Sequence, residues 1–210
     1  MRRALLLVAA LSLVCVACGG GSKKAASSGD SLVGLFRITA ATCDSDTPAG
    51  SWFRMVQPGG NAASGPYVSN PDSTCADTTV TPLAPGDDGG LKTGTFQAAM
   101  IRPQGFFAVP FDVSTNEQDP QSGTTVKAPT ITRSGSTLQG DLSAISVAWN
   151  QQHFNQGAPK PDGSTPGLTR PVQGRYNRRT KAFEIIWYSS IVGGPFNGFT
   201  GYWHLQGHVR

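Results

Sequence analysis

The last forty residues constrain the fold most, because their side chains repeat with a period of two and show no helical period. Residues 172–176, 182–192 (AFEIIWYSSIV) and 200–210 (TGYWHLQGHVR) are expected strands. A polar turn at 177–181 and a glycine-rich connection at 193–199 (GGPFNGF) join them. In the final strand Trp203, Leu205 and Val209 face one way, while Tyr202, His204, Gln206 and His208 face the other. One side is then core and the other meets solvent, as in an antiparallel sheet.

The same pattern extends backwards. Residues 32–42 (LVGLFRITAAT) are the first expected strand and 51–56 (SWFRMV) the second. Residues 95–115 supply one or two more, with Phe106, Phe107, Val109, Phe111 and Val113 as core candidates. Short strands at 126–133 and 137–142 flank the Ser134-Gly135-Ser136 turn, and Pro129 marks the first as an edge strand. Ile145, Val147 and Trp149 alternate along another. Two stretches break the rhythm: 57–94, dense in Gly, Pro, Asn and Asp, reads as one long excursion, and 150–171 as a second loop. Many short strands joined by turns make one all-β domain, residues 32–210: an antiparallel β-sandwich with long Gly/Pro-rich loops, or alternatively a closed antiparallel barrel. The first and last strands are candidates to pair.

Composition agrees. Gly (26) and Pro (15) are about a fifth of the chain and charged residues only 14%. A hydrophobic content of 38% is enough to bury a core.

The N-terminus addresses location. Arg2 and Arg3 precede an uncharged, mostly apolar run at 4–14, shorter than the roughly 20 residues that span a bilayer. Then comes Cys15-Val16-Ala17-Cys18-Gly19-Gly20-Gly21-Ser22. This resembles the lipobox of bacterial lipoprotein signal peptides, with Cys15 standing where that family usually has Leu. The resemblance implies a leader at 1–17, lipid on Cys18, a tether at 18–31 (rich in Gly, Ser, Ala and Lys), and a place on the outer face of the cell membrane; secretion is the alternative. Losing the leader removes Arg2 and Arg3 from 17 basic side chains, leaving 15 against 13 acidic. That balance offers no clustered footprint for nucleic acid. Arg175, Arg178, Arg179 and Lys181 form one local basic group at a turn. With Cys15 removed and Cys18 lipidated, Cys43 and Cys75 remain, and in an oxidising compartment they are expected to pair.

The segments SWFRMVQPGG, NQQHFNQGAPKPDGS and IVGGPFNGFTGYWHLQGHV resemble exported proteins and lipoproteins of high-GC Gram-positive bacteria. The resemblance implies an envelope location and supplies no catalytic residues.

Chemistry is sparse. His204 and His208 are four apart, which on a strand separates them by about 13 Å, too far for one metal ion. No G-x-S-x-G elbow occurs, and Glu117 and Glu184 are the only glutamates. Asp44-Ser45-Asp46 and Asp87-Asp88-Gly89 lack the spacing of a calcium loop. No catalytic residue, metal ligand or cofactor is assigned. The richest set is aromatic and amide together: Trp149, Asn150, His153 and Asn155, with Phe196 and Asn197 in the glycine-rich connection. Rings cover apolar faces and amides satisfy hydroxyls, so these six are the candidate ligand residues. The expected function is non-enzymatic binding of a small ligand or envelope protein. The alternatives are an extracytoplasmic hydrolase of envelope polymers and an interaction protein with no small-molecule site.

Overall fold

A computed structural model describes residues 29–44 and 48–210. The leader, Cys18 and nearly all of the tether lie outside the described residues, as does Asp46. Among the described residues there are fifteen strands and one 3₁₀ turn, and every ladder is antiparallel.

The larger sheet runs β1 (Asp30–Ser31), β9 (Thr130–Ser134), β10 (Thr137–Asp141), β13 (Arg170–Tyr176), β14 (Ala182–Ser190), β15 (Thr200–Val209), β2 (Leu35–Ile38), β6 (Gly90–Lys92). β3 (Trp52–Asn61) also pairs with β15, and it carries β4 (Gly65–Tyr67) and β5 (Thr81–Pro82). The smaller sheet is β12 (Gln152–Asn155), β11 (Ile145–Trp149), β8 (Val109–Thr115), β7 (Gln97–Phe106). The two sheets pack as a sandwich. The larger curls until residues 32–34 bridge its two edges: Leu32 N donates to Ile131 O at 2.9 Å, and the Thr93 hydroxyl donates to Leu32 O at 2.8 Å. Among the described residues no ladder joins those edges, so the sheet is curled without closing into a barrel.

β14 and β15 explain why the core lies where it does. Phe183, Ile185, Trp187 and Ser189 alternate inward along β14, and Trp203, Leu205 and Gly207 inward along β15. The far edge of β15 is shared, with β3 pairing at residues 200–204 and β2 at 207–209. β2, which lies within the first expected strand at 32–42, therefore pairs with the last strand, as the sequence pattern anticipates. Gly207 permits this approach, since a Cβ there would lie 1.9 Å from the Arg37 carbonyl.

Several local expectations differ from the structure. Residues 57–94 are not one excursion. They hold the end of β3, all of β4, β5 and β6, with Gly59 and Gly65 at φ of 79° and 76° across a register shift in the β3–β4 hairpin. Residues 150–171 likewise contain β12, reached through a two-residue turn with both Asn150 and Gln151 at positive φ. Phe107 and Ala108 form the same kind of turn between β7 and β8, so Phe107 stands 42% exposed rather than in the core. Pro129 precedes β9, which is flanked by β1 and β10 and is no edge strand.

Cys43 and Cys75 are disulfide-bonded, Cα to Cα 5.0 Å. The bond pins residues 40–44, 48–50 and 70–82 over the outer face of the larger sheet, where Cys75 packs with Trp52 and Val80 in a second small core. His204 is buried for this reason, against the expectation of a solvent face: its ring stacks on Trp52 at 4.8 Å.

Candidate functional site

One end of the sandwich holds an aromatic cup between the sheets. β3 and β15 bring Phe53 and Trp203 side by side, with ring centroids 4.6 Å apart. β8 adds Phe111, β7 adds Phe106, and β12 adds Phe154. Trp149 at the end of β11 meets Phe196 across the rim at 5.2 Å, and Phe106 meets Phe196 at 5.7 Å. They enclose a cavity of about 40 Å³. That is well under the roughly 150 Å³ that takes a benzene ring, so a ring enters only if a wall moves.

Its polar atoms are engaged elsewhere. Gln156 is the one amide in the lining; its Nε2 donates to Asn155 O at 3.1 Å and its Oε1 accepts from Trp203 Nε1 at 3.3 Å. Trp149 Nε1 donates to Phe106 O at 2.8 Å. With those groups satisfied, the cup suits apolar matter.

One wall is the connection between β14 and β15. Gly193, Gly194 and Gly198 sit at φ of 81°, 62° and 85°, where side-chain-bearing residues are strained, and they bracket Phe196. Asn197 Oδ1 accepts from Gly193 N at 2.8 Å and holds the loop's shape. Val192, 53% exposed, and Phe107 flank the rim.

Of the six residues singled out in the sequence, the structure brings Trp149 and Phe196 together at this rim. Asn197 shapes the loop behind them. Asn150 lies in an exposed turn. His153 is exposed on β12, on the face opposite Phe154. Asn155 is buried away from the cup, donating to Ser143 O at 2.8 Å and accepting from Gly157 N at 3.2 Å. Phe53, Gln156 and Ile191 join only through long-range pairing, for which the local pattern carries no signal.

Behind Gln156 lies Lys160. Its Nζ donates to Ser189 Oγ at 2.6 Å and to Asn155 O at 3.1 Å. Burial holds this ammonium down at about 8, against the opposing fields of Asp119 and Asp162. Ser189 donates to Gly157 O at 2.8 Å and is fully buried, so its hydroxyl offers no face to a carbonyl substrate.

Below about pH 8 Lys160 is charged in both the folded and the unfolded chain, and the full cost of burying it is present. Between about 8 and the ordinary 10.5 the unfolded chain holds one proton more, so stability rises with pH, by about 3 kcal/mol across the window. Above pH 10 the slope reverses. Burial pushes the Tyr188 and Tyr202 phenols up, and the unfolded chain loses those protons first. Urea midpoints measured from pH 7 to 10 should climb in the native chain and stay flat in Lys160→Met. A flat native profile, or an equal climb in the variant, would contradict this account.

The other titratable pair is His204 and Glu184, with Nε2 to Oε1 at 3.0 Å and Nδ1 to Gly50 O at 2.9 Å. Both ring nitrogens face acceptor oxygens. Asp88 is held by Lys92 at 2.7 Å, and the bond from that ammonium draws its carboxyl below the usual range. Among the described residues no group of three or more His, Cys, Asp or Glu is placed to hold a metal.

Set against known proteins, the chain matches no family model, no curated sequence and no solved structure.

Proposed function

We propose that this is a non-enzymatic envelope lipoprotein, anchored through Cys18, whose β-domain takes an apolar group such as an acyl chain end or an aromatic ring into the cup. The observation that carries the reading is the cup itself: aromatic walls, no unengaged amide, and Phe196 carried on the glycine-rich connection. Burying a few methylenes there yields about 0.8 kcal/mol each, roughly 2–4 kcal/mol in all, which corresponds to millimolar affinity at best.

The test is a titration of the protein with medium-chain fatty acids and with a naphthalene dye, followed by tryptophan fluorescence, since Trp149 and Trp203 line the cup. A saturable change at one site per chain is expected. Val147→Phe, which overfills the void, should weaken binding at least tenfold while costing about 1–3 kcal/mol of stability. Absence of saturable binding, or binding indifferent to Val147→Phe, would refute the proposal.

A further inference from the structure

The sheet register gathers positive charge at the end of the domain opposite the cup. Ser190 pairs with Thr200 beside the Phe196 connection, whereas Ala182 pairs with His208, and His208 with Arg37, at the other end of β14 and β15. The 177–181 turn closes that same end, so Arg178, Arg179 and Lys181 stand beside Arg37, and Arg175 lies a short step up β13. All five are exposed. Asp30 lies 3.8 Å from Arg178, and Arg133 already pairs with it. Glu184 is engaged by His204. Asp30 and Glu184, the carboxylates beside the turn and β13, are thus both already engaged, while Asp87 and Asp88 approach Arg37 from the residues before β6, Asp88 itself held by Lys92.

The chain enters the domain at this end. Asp30 pairs with Arg133, next to the Ser134–Thr137 turn, on the basic side. The sequence before it carries Lys23 and Lys24 and no acidic residue from 1 to 28. The segment from Cys18 to Asp30 reaches at most about 40 Å fully extended.

We infer that this basic end is a docking face for an anionic phospholipid surface, made by Arg37, Arg175, Arg178, Arg179 and Lys181. Charge complementarity and the entry point of the chain choose that occupant. Exposed arginine and lysine near anionic head groups each strengthen adsorption, and the effect is screened over about 10 Å at 0.1 M salt. The orientation this gives an anchored chain, cup facing away from the bilayer, rests on the lipoprotein reading. The docking face itself does not.

The experiment separates the two by using the full chain carrying Cys18→Ser, which has no lipid. It is mixed with vesicles of phosphatidylglycerol and phosphatidylcholine at a 3:7 ratio, and with phosphatidylcholine alone, then sedimented. Binding to the anionic vesicles alone is expected, lost at 0.5 M salt. The triple substitution Arg178→Ala, Arg179→Ala, Lys181→Ala should weaken it about 100-fold, at roughly five-fold per cation. Arg102→Ala with Lys127→Ala, exposed cations away from this end, should change it less than two-fold, and thermal melting checks that both variants remain folded. Equal binding to both vesicle types, no binding to either, or binding only to a soluble polyanion would overturn the inference.

Discussion

Replacing Trp187 with alanine should cost about 5 kcal/mol and leave the domain at the edge of unfolding. Trp187 is fully buried, and its ring stacks on Trp203 with centroids 5.4 Å apart and planes 4° from parallel. Its indole N–H donates to Gln156 O at 2.8 Å. Truncation removes the largest buried side chain of β14, opens a void beneath β15, and leaves a buried carbonyl without its donor, which adds about 1–3 kcal/mol to the cavity cost. Trp187→Phe separates these effects. It keeps most of the volume and loses the hydrogen bond, so about 2 kcal/mol is expected. Urea unfolding followed by far-ultraviolet circular dichroism gives both numbers. A loss under 2 kcal/mol for the alanine variant would mean that β14 and β15 are not packed as described.

The clearest parts of the sequence are those where alternation is the whole story. Along β14 every second residue is buried, so the inward set Phe183, Ile185 and Trp187 is visible in the sequence. β15 shows the limit of that reasoning. Period two places Tyr202, His204, Gln206 and His208 on one face, which is correct, yet it assigns that face to solvent. Residues 40–44, 48–50 and 70–82 cover part of it, so His204 is buried while Gln206 and His208 stay exposed. The turns at Phe107-Ala108 and Asn150-Gln151 are illegible for another reason: their positive φ values fall on residues other than glycine, so neither shows the Asn-Gly type of signal. For the cup, the rings of Trp149 and Phe196 stand out in composition. What gathers Phe53, Phe111 and Trp203 around them is the register of β3 on β15 and of β8 on β11, a long-range fact that no short window contains.

Reducing the Cys43–Cys75 bond, or replacing both residues with alanine, should cost about 4 kcal/mol and lower the melting temperature by roughly 10 °C. The bond closes a loop of sequence separation 32, and the chain-entropy cost of leaving that loop open accounts for most of the loss. The location of the damage follows from what the loop covers. Trp52, Val80 and Tyr202 pack around the disulfide, and Gly50, within the pinned segment, accepts from His204 Nδ1. Amide hydrogen exchange should therefore accelerate first in residues 40–50 and 70–82. The cup should be spared, because Phe53 and Trp203 face the other side of the same two strands and belong to the main core. Acyl-chain binding measured at 20 °C in the reduced protein should stay within about two-fold of the oxidised value, since the reduced domain remains folded well below its melting point. Loss of binding together with the disulfide would mean that the two faces of β3 and β15 form one cooperative unit, and that the outer core holds the aromatic cup in register.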